Sequence, residues 1–82
     1  MQIQIEILTK KDCELCDDAK KIVERVLPDF PAILKMVDIE SSADLFETYK
    51  EKIPVVLING KENFVYKVNE TTLRKKLEKI IY

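Results

Sequence analysis

Isoleucines at positions 3, 5 and 7 alternate with Gln2, Gln4 and Glu6 at the start of the chain. A period of two puts the isoleucines on one face of a strand, and their β-branched side chains suit its pleat. Leu8 extends the run. From Glu14 the period changes. Leu15, Ala19, Ile22, Val23, Val26 and Leu27 recur at helical spacing, with Asp17, Asp18, Lys20, Lys21, Glu24 and Arg25 mostly opposite. Pro28 and Pro31 end this helix, because proline disfavours helical geometry in the residue before it. Residues 32–39 read as a second strand. Ser41-Ser42-Ala43-Asp44 then signals a helix start: a serine hydroxyl can accept a free first-turn N–H, and Asp44 suits the helix dipole there. Leu45, Phe46 and Tyr49 supply that short helix with its apolar face. After Lys52-Ile53-Pro54, the run Val55-Val56-Leu57-Ile58 suits a strand buried on both faces. Asn59-Gly60 is the strongest turn signal, since both residues tolerate the positive φ of a tight hairpin. Residues 64–68 are the returning strand, with Phe64 and Tyr66 at period two on its packed face. Asn69 can cap a last helix in which Leu73, Leu77, Ile80 and Ile81 form the apolar stripe.

The order strand, helix, strand, helix, strand, strand, helix predicts an α/β fold. The first two strands flank a helix, and a right-handed crossover makes them parallel neighbours, while the last two form a hairpin. The simplest architecture is a four-stranded mixed sheet with helices on both faces. A chain of 82 residues has room for one core, so residues 1–82 are expected to form a single domain. Ligands of open α/β sheets gather at the carboxyl ends of the parallel strands, and the first strand delivers the chain there.

Charge removes several classes of function. With 14 basic and 15 acidic residues, the chain offers no electrostatic case for nucleic acid or an anionic membrane. No apolar run approaches about eighteen residues, and Glu6 interrupts the N-terminal stretch, which is neither a signal sequence nor a span. A cytoplasmic protein is expected. In a reducing compartment a Cys-x-x-Cys pair points to redox or metal chemistry rather than a structural bridge.

Cys13 and Cys16 are the only cysteines, and they fall where the strand pattern gives way to the helix pattern. A thiol at a helix N-terminus faces free N–H groups and the positive end of the dipole, both of which favour thiolate. A second thiol three residues on lies one turn away, within reach of a disulfide. Asp12, Glu14, Asp17 and Asp18 oppose the thiolate, and Lys10 and Lys11 offset part of that opposition.

At this point the chain resembles the thioredoxin superfamily, and within it the short glutaredoxin-like proteins. The resemblance spans essentially the whole length. It rests on Thr9-Lys10-x-x-Cys13-x-x-Cys16 after the first strand, Ile53-Pro54-Val55 before the third, and the Asn59-Gly60 hairpin. Cys13-Glu14-Leu15-Cys16 is similar to a C-x-L-C subgroup. The resemblance implies a thioredoxin-like three-layer fold, βαβαββα, and a small thiol–disulfide oxidoreductase acting on protein disulfides or glutathione mixed disulfides. It implies Cys13 as the nucleophile and Cys16 as the resolving thiol. Lys10 matches a lysine that favours the thiolate and can meet a glutathione carboxylate. Pro54 matches the family's cis-proline, which would leave the Ile53 backbone free to pair with an extended substrate. Asn69 is a further candidate for substrate binding, its other role being the helix cap. The stretch Lys67-Val68-Asn69-Glu70-Thr71 lacks the Gly-Gly pair common in glutaredoxins, which counts against glutathione recognition. The tryptophan and Gly-Pro of typical thioredoxins are also absent.

No resident cofactor is expected, because no Gly-rich nucleotide motif or flavin site is present. An external electron donor is then required, either glutathione or a thioredoxin-reductase-type enzyme. The expected partners are disulfide-containing proteins, a reductase and, as a further candidate, glutathione, with a monomer as the expected state. Two rival functions remain. A homodimer could present four cysteines to zinc or an iron–sulfur cluster. Alternatively, the fold could serve as a non-enzymatic interaction domain, with Phe64, Tyr66 or Tyr82 marking the binding face.

Overall fold

A computed structural model describes residues 2–81 of the protein; the position of Tyr82 as a binding-face residue lies outside them. The alternating isoleucines form β1 (Ile3–Thr9), with Ile3, Ile5 and Ile7 buried on one face. β1 occupies an inner position in a four-stranded sheet of order β2-β1-β3-β4, in which β2 is Ala32–Asp38, β3 Val55–Ile58 and β4 Lys61–Val65. β1 runs parallel to β2, with Ile3 opposite Ala32 and Thr9 opposite Asp38. It runs antiparallel to β3, which pairs antiparallel with β4. The mixed sheet and its two kinds of connection are those the pattern predicts.

Three α-helices cover the sheet: α1 (Glu14–Val26), α2 (Ala43–Tyr49) and α3 (Glu70–Ile81). α1 stops where Pro28 enters, and the chain tightens into a 3-10 turn over Leu27–Asp29. The apolar stripes of α1 and α3 meet Ile3, Ile5 and Ile7 in the larger core, which includes Ala19, Val23, Val26, Val56, Ile58, Leu73 and Leu77. A smaller cluster of Leu8, Cys16, Ile39, Ile53 and Val55 is completed by Leu45, Phe46 and Tyr49 of α2. Seven residues make about two turns of helix, too short to cover a whole sheet face. Gln2 and Gln4 accordingly remain exposed.

The caps follow the side-chain chemistry. The Ser42 hydroxyl accepts the Leu45 N–H at 3.4 Å, and Asn69 Oδ1 accepts the Thr72 N–H at 2.9 Å. Among the described residues no helix is long and apolar enough to cross a membrane.

The last hairpin corrects the sequence reading. β4 spans Lys61–Val65, not 64–68. Asn59 (φ 50°) and Gly60 (φ 84°) make a two-residue turn, so the chain pairs again at once and Lys61 lies opposite Ile58. The polar run Lys61-Glu62-Asn63 hides this strand from a hydrophobicity argument. The register then slips: Leu57 faces Glu62 while Val56 faces Phe64, so Asn63 is the extra residue of a bulge. β4 ends because Tyr66 turns to φ 71°. Phe64 packs against the core as expected, but Tyr66 is 48% exposed rather than packed beside it.

Candidate active site

β1 carries the chain to its carboxyl end at Thr9, and a turn with Asp12 at φ 58° leads into α1. A left-handed residue is tolerable there because aspartate is among the few side chains that visit this region readily. Cys13 is the N-cap of α1, with extended backbone (φ −111°, ψ 105°). Its Sγ accepts the Cys16 N–H at 3.2 Å, so the thiol takes the place of the usual capping oxygen. That donor stabilises negative charge on sulfur more than it stabilises a neutral thiol. The sulfurs of Cys13 and Cys16 lie near disulfide distance, with their Cα atoms 5.2 Å apart.

The two cysteines differ in access. Cys16 is 2% exposed inside the small cluster, whereas Cys13 is only half-buried at its edge. Ile53 joins the same cluster, and the Ile53–Pro54 peptide bond is cis. The Pro54 carbonyl accepts the Tyr66 N–H at 2.8 Å, and the Tyr66 hydroxyl donates to the Glu51 carbonyl at 2.7 Å. Tyr66 thus ties the end of β4 to both sides of the loop that carries the cis-proline. Tyr49, packed against this cluster, donates its hydroxyl to Glu62 Oε2 at 3.5 Å. Burial, and then the Glu62 charge, raise its phenol above the ordinary tyrosine range, so Tyr49 stays protonated as a donor.

Cys13, Cys16 and Ile53 are therefore brought together, with Pro54 beside them. Lys10 is exposed and Asn69 serves as the cap of α3; neither hydrogen bonds to the cysteines. Among the described residues no group of three His, Cys, Asp or Glu side chains is placed to hold a metal ion.

Leu15 and Tyr66 stand out as residues the sequence pattern placed in the core. Leu15 belongs to the apolar stripe of α1 by spacing, yet it is 44% exposed. Cys16 takes the buried slot one turn before Ala19, which leaves Leu15 at the rim. The unusual φ of Tyr66 carries no signal in the sequence, where an aromatic at period two after Phe64 reads as a packed strand residue.

A strand-to-helix Cys-x-x-Cys opposite a cis-proline, on a four-stranded mixed sheet, defines the class of thioredoxin-fold proteins. The solved structures agree. A target protein, XcR50, from X. campestris superimposes with a TM-score of 0.75 at 24% identity, over 92% of this chain and 96% of that one. Mitochondrial thioredoxin 3 from Saccharomyces cerevisiae, in its oxidised form, gives 0.68 at 14% identity, over 94% and 77%. These likenesses concern the fold. Sequence comparison is narrower: the family model "Glutaredoxin-like domain (DUF836)" matches residues 4–78. The chain is also 33% identical over 85 residues to the "Glutaredoxin-like protein YDR286C homolog" of Dictyostelium discoideum, covering 96% of this chain and 79% of that protein. The chain belongs to the glutaredoxin-like domain family.

Proposed function

We propose that this protein is a thiol–disulfide oxidoreductase working through Cys13 and Cys16. The observation that carries the reading is the asymmetry of the pair: Cys13 caps the helix at the surface, and Cys16 lies buried one turn deeper within reach of it. The Cys13 thiolate attacks a substrate disulfide. A new sulfur–sulfur bond forms to Cys13, the substrate bond breaks, and one substrate sulfur leaves as thiolate and takes a proton from water. Cys16, once deprotonated, attacks Cys13 Sγ and expels the second substrate sulfur. Two electrons pass to the substrate, and Cys13–Cys16 is left oxidised. An external thiol donor, glutathione or a thioredoxin-reductase-type enzyme, returns the pair to the dithiol. The cytoplasm fits this cycle because its redox poise regenerates dithiols.

The structure supports protein disulfides as substrates ahead of glutathione. Val68 packs into the core in the stretch Lys67-Val68-Asn69-Glu70-Thr71, where glutaredoxins commonly carry Gly-Gly. The cis peptide at Pro54 and the half-buried Cys13 share one edge of the sheet, where an extended substrate can pair with the Ile53 backbone.

Redox equilibration tests this reading. The metal-free protein is held at defined ratios of reduced and oxidised glutathione, and of dithiothreitol, and its thiols are trapped and weighed by mass spectrometry. A reversible two-electron transition at Cys13 and Cys16 is expected. Absence of a disulfide under oxidising conditions, or protection of the pair only when zinc or iron is present, would overturn it.

A further inference from the structure

A cavity of about 380 Å³ opens between α1 and the segment that follows β4. Its apolar wall is Leu15, Ala19 and Ile22 on one side and Tyr66 with Val68 on the other. Its near end is Leu15, which lies between Cys13 and Cys16 in the chain, and its far end is Arg25. At 1.5 Å per helical residue, the floor from Leu15 to Arg25 runs about 15 Å. An extended peptide rises about 3.3 Å per residue, so the groove seats roughly four to five residues.

Charge is graded along it. Asp18 lines the half of the cavity nearer Cys13, and Glu14 and Asp17 stand outside it on the first turn of α1. Further along, Lys21 and Lys67 line the cavity, and neither has a carboxylate partner among the described residues. Arg25, also lining it, is neutralised by Glu70 at 3.0 Å. Lys21 lies six residues past Leu15, about 9 Å along the helix, but a helical side chain leans back toward the N-terminus, so its ammonium falls within reach of the third residue of an extended chain whose first covers Leu15, about 7 Å further on.

Resting on the redox reading above, we infer that this groove selects extended protein segments with an apolar residue beside the reactive cysteine and an acidic residue at the third position from it. The apolar side chain covers Leu15 and the Tyr66 ring. The acidic side chain reaches Lys21 and Lys67, whereas at the first position it would face Asp18. Tyr66 is the specificity-determining wall: its hydroxyl bond to Glu51 and its N–H bond to Pro54 hold the ring against the same loop that receives the substrate backbone.

Single-turnover exchange with fully reduced protein tests the inference. Each protein dithiol reduces one disulfide-linked peptide pair to two peptide thiols and becomes oxidised, so no further reductant enters. Three peptides are compared: leucine first and glutamate third from the cysteine, leucine first and lysine third, and glutamate first with leucine third. Each pattern is placed on either side of the cysteine in turn. The leucine-first, glutamate-third peptide should be reduced roughly fivefold faster than the other two, the scale of two exposed ion pairs. The Lys21→Glu/Lys67→Glu double variant, checked for an unchanged unfolding midpoint, should reverse the preference between glutamate and lysine at the third position. Tyr66→Ala, which removes the wall, should abolish the advantage of leucine at the first position while reduction of a small disulfide continues. Wild-type reduction of 2-hydroxyethyl disulfide, which is too small to occupy the groove, is measured in parallel. If that disulfide is reduced but the peptides react equally, or the double variant keeps the wild-type order, the groove inference is wrong and the redox reading stands. If no disulfide is reduced, both fall together.

Discussion

The two faces of the sheet are built to different standards. Toward α1 and α3, β1 presents Ile3, Ile5 and Ile7 to two regular helical stripes. Toward α2, Leu8 meets a short helix, a 3-10 turn over Ile39–Ser41, a cis-proline loop and a cysteine. The first face has the area to hold the molecule together, and the second places the paired sulfurs. The cysteines themselves straddle the division. They sit on the first turn of a helix anchored by the large core, but Cys16 points into the small cluster.

The sharpest way to break this division is Leu77→Ala. Leu77 is fully buried in the large core, and truncation there should cost about 2–5 kcal/mol in urea unfolding. The rate of thiol exchange per folded molecule should stay the same. A variant that unfolds as the wild type does, or one that loses exchange while folded, would show that the two faces are not separable.

Gly60→Ala comes next. Nothing lies within 4 Å of an added Cβ, so the cost is the left-handed backbone at φ 84°, about 1–2 kcal/mol. The Asn59 N–H donates to the Gln4 carbonyl at 2.8 Å, which ties the hairpin to β1 at the edge away from the cysteines. Unfolding by denaturant should register the loss while exchange does not.

Cys16→Ala should show the opposite balance. It removes one small buried group from the lesser cluster, about 1 kcal/mol, but ends turnover through an intramolecular disulfide. Equilibrium unfolding and single-turnover peptide reduction, run on the same sample, separate the two effects.

The smallest effect is electrostatic. Hydrogen bonds from Arg25 and then Arg74 hold the Glu70 carboxyl below its ordinary value of 4.5. Arg74 also binds Asp29 at 2.7 Å, so the network joins α1, the 3-10 turn and α3 on the large-core side. A carboxylate held down in the folded state contributes stability above its unfolded value, and the contribution disappears as pH falls through the lower folded value. The stability gap between wild type and Glu70→Gln should therefore be present at neutral pH and close below pH 4.5. A gap that widens in acid would reverse the sign of the argument.

The same division explains what the sequence made legible. Residues with a regular period, Ile3-Ile5-Ile7 and Ala19-Val23-Val26, announce both their element and their burial. The cysteine pair and Asn59-Gly60 are legible because their chemistry is local. The start of β4 is not, since its polar residues pair through backbone alone. Leu15 and Tyr66 are also misplaced by periodicity. The first yields its core slot to Cys16, and the second leaves the strand through a backbone turn that an aromatic residue does not advertise. Both irregularities line the same cavity between α1 and the segment after β4.

The central claim is that Cys13 attacks and Cys16 resolves. Its most direct test is to mix Cys16→Ser and Cys13→Ser, separately, with a disulfide-linked peptide and weigh the products by mass spectrometry. The account predicts a stable one-to-one mixed disulfide on Cys13 in the Cys16→Ser protein, and none forming at comparable rate on Cys16 in the Cys13→Ser protein. Equal trapping by both thiols, or trapping by neither, would contradict it.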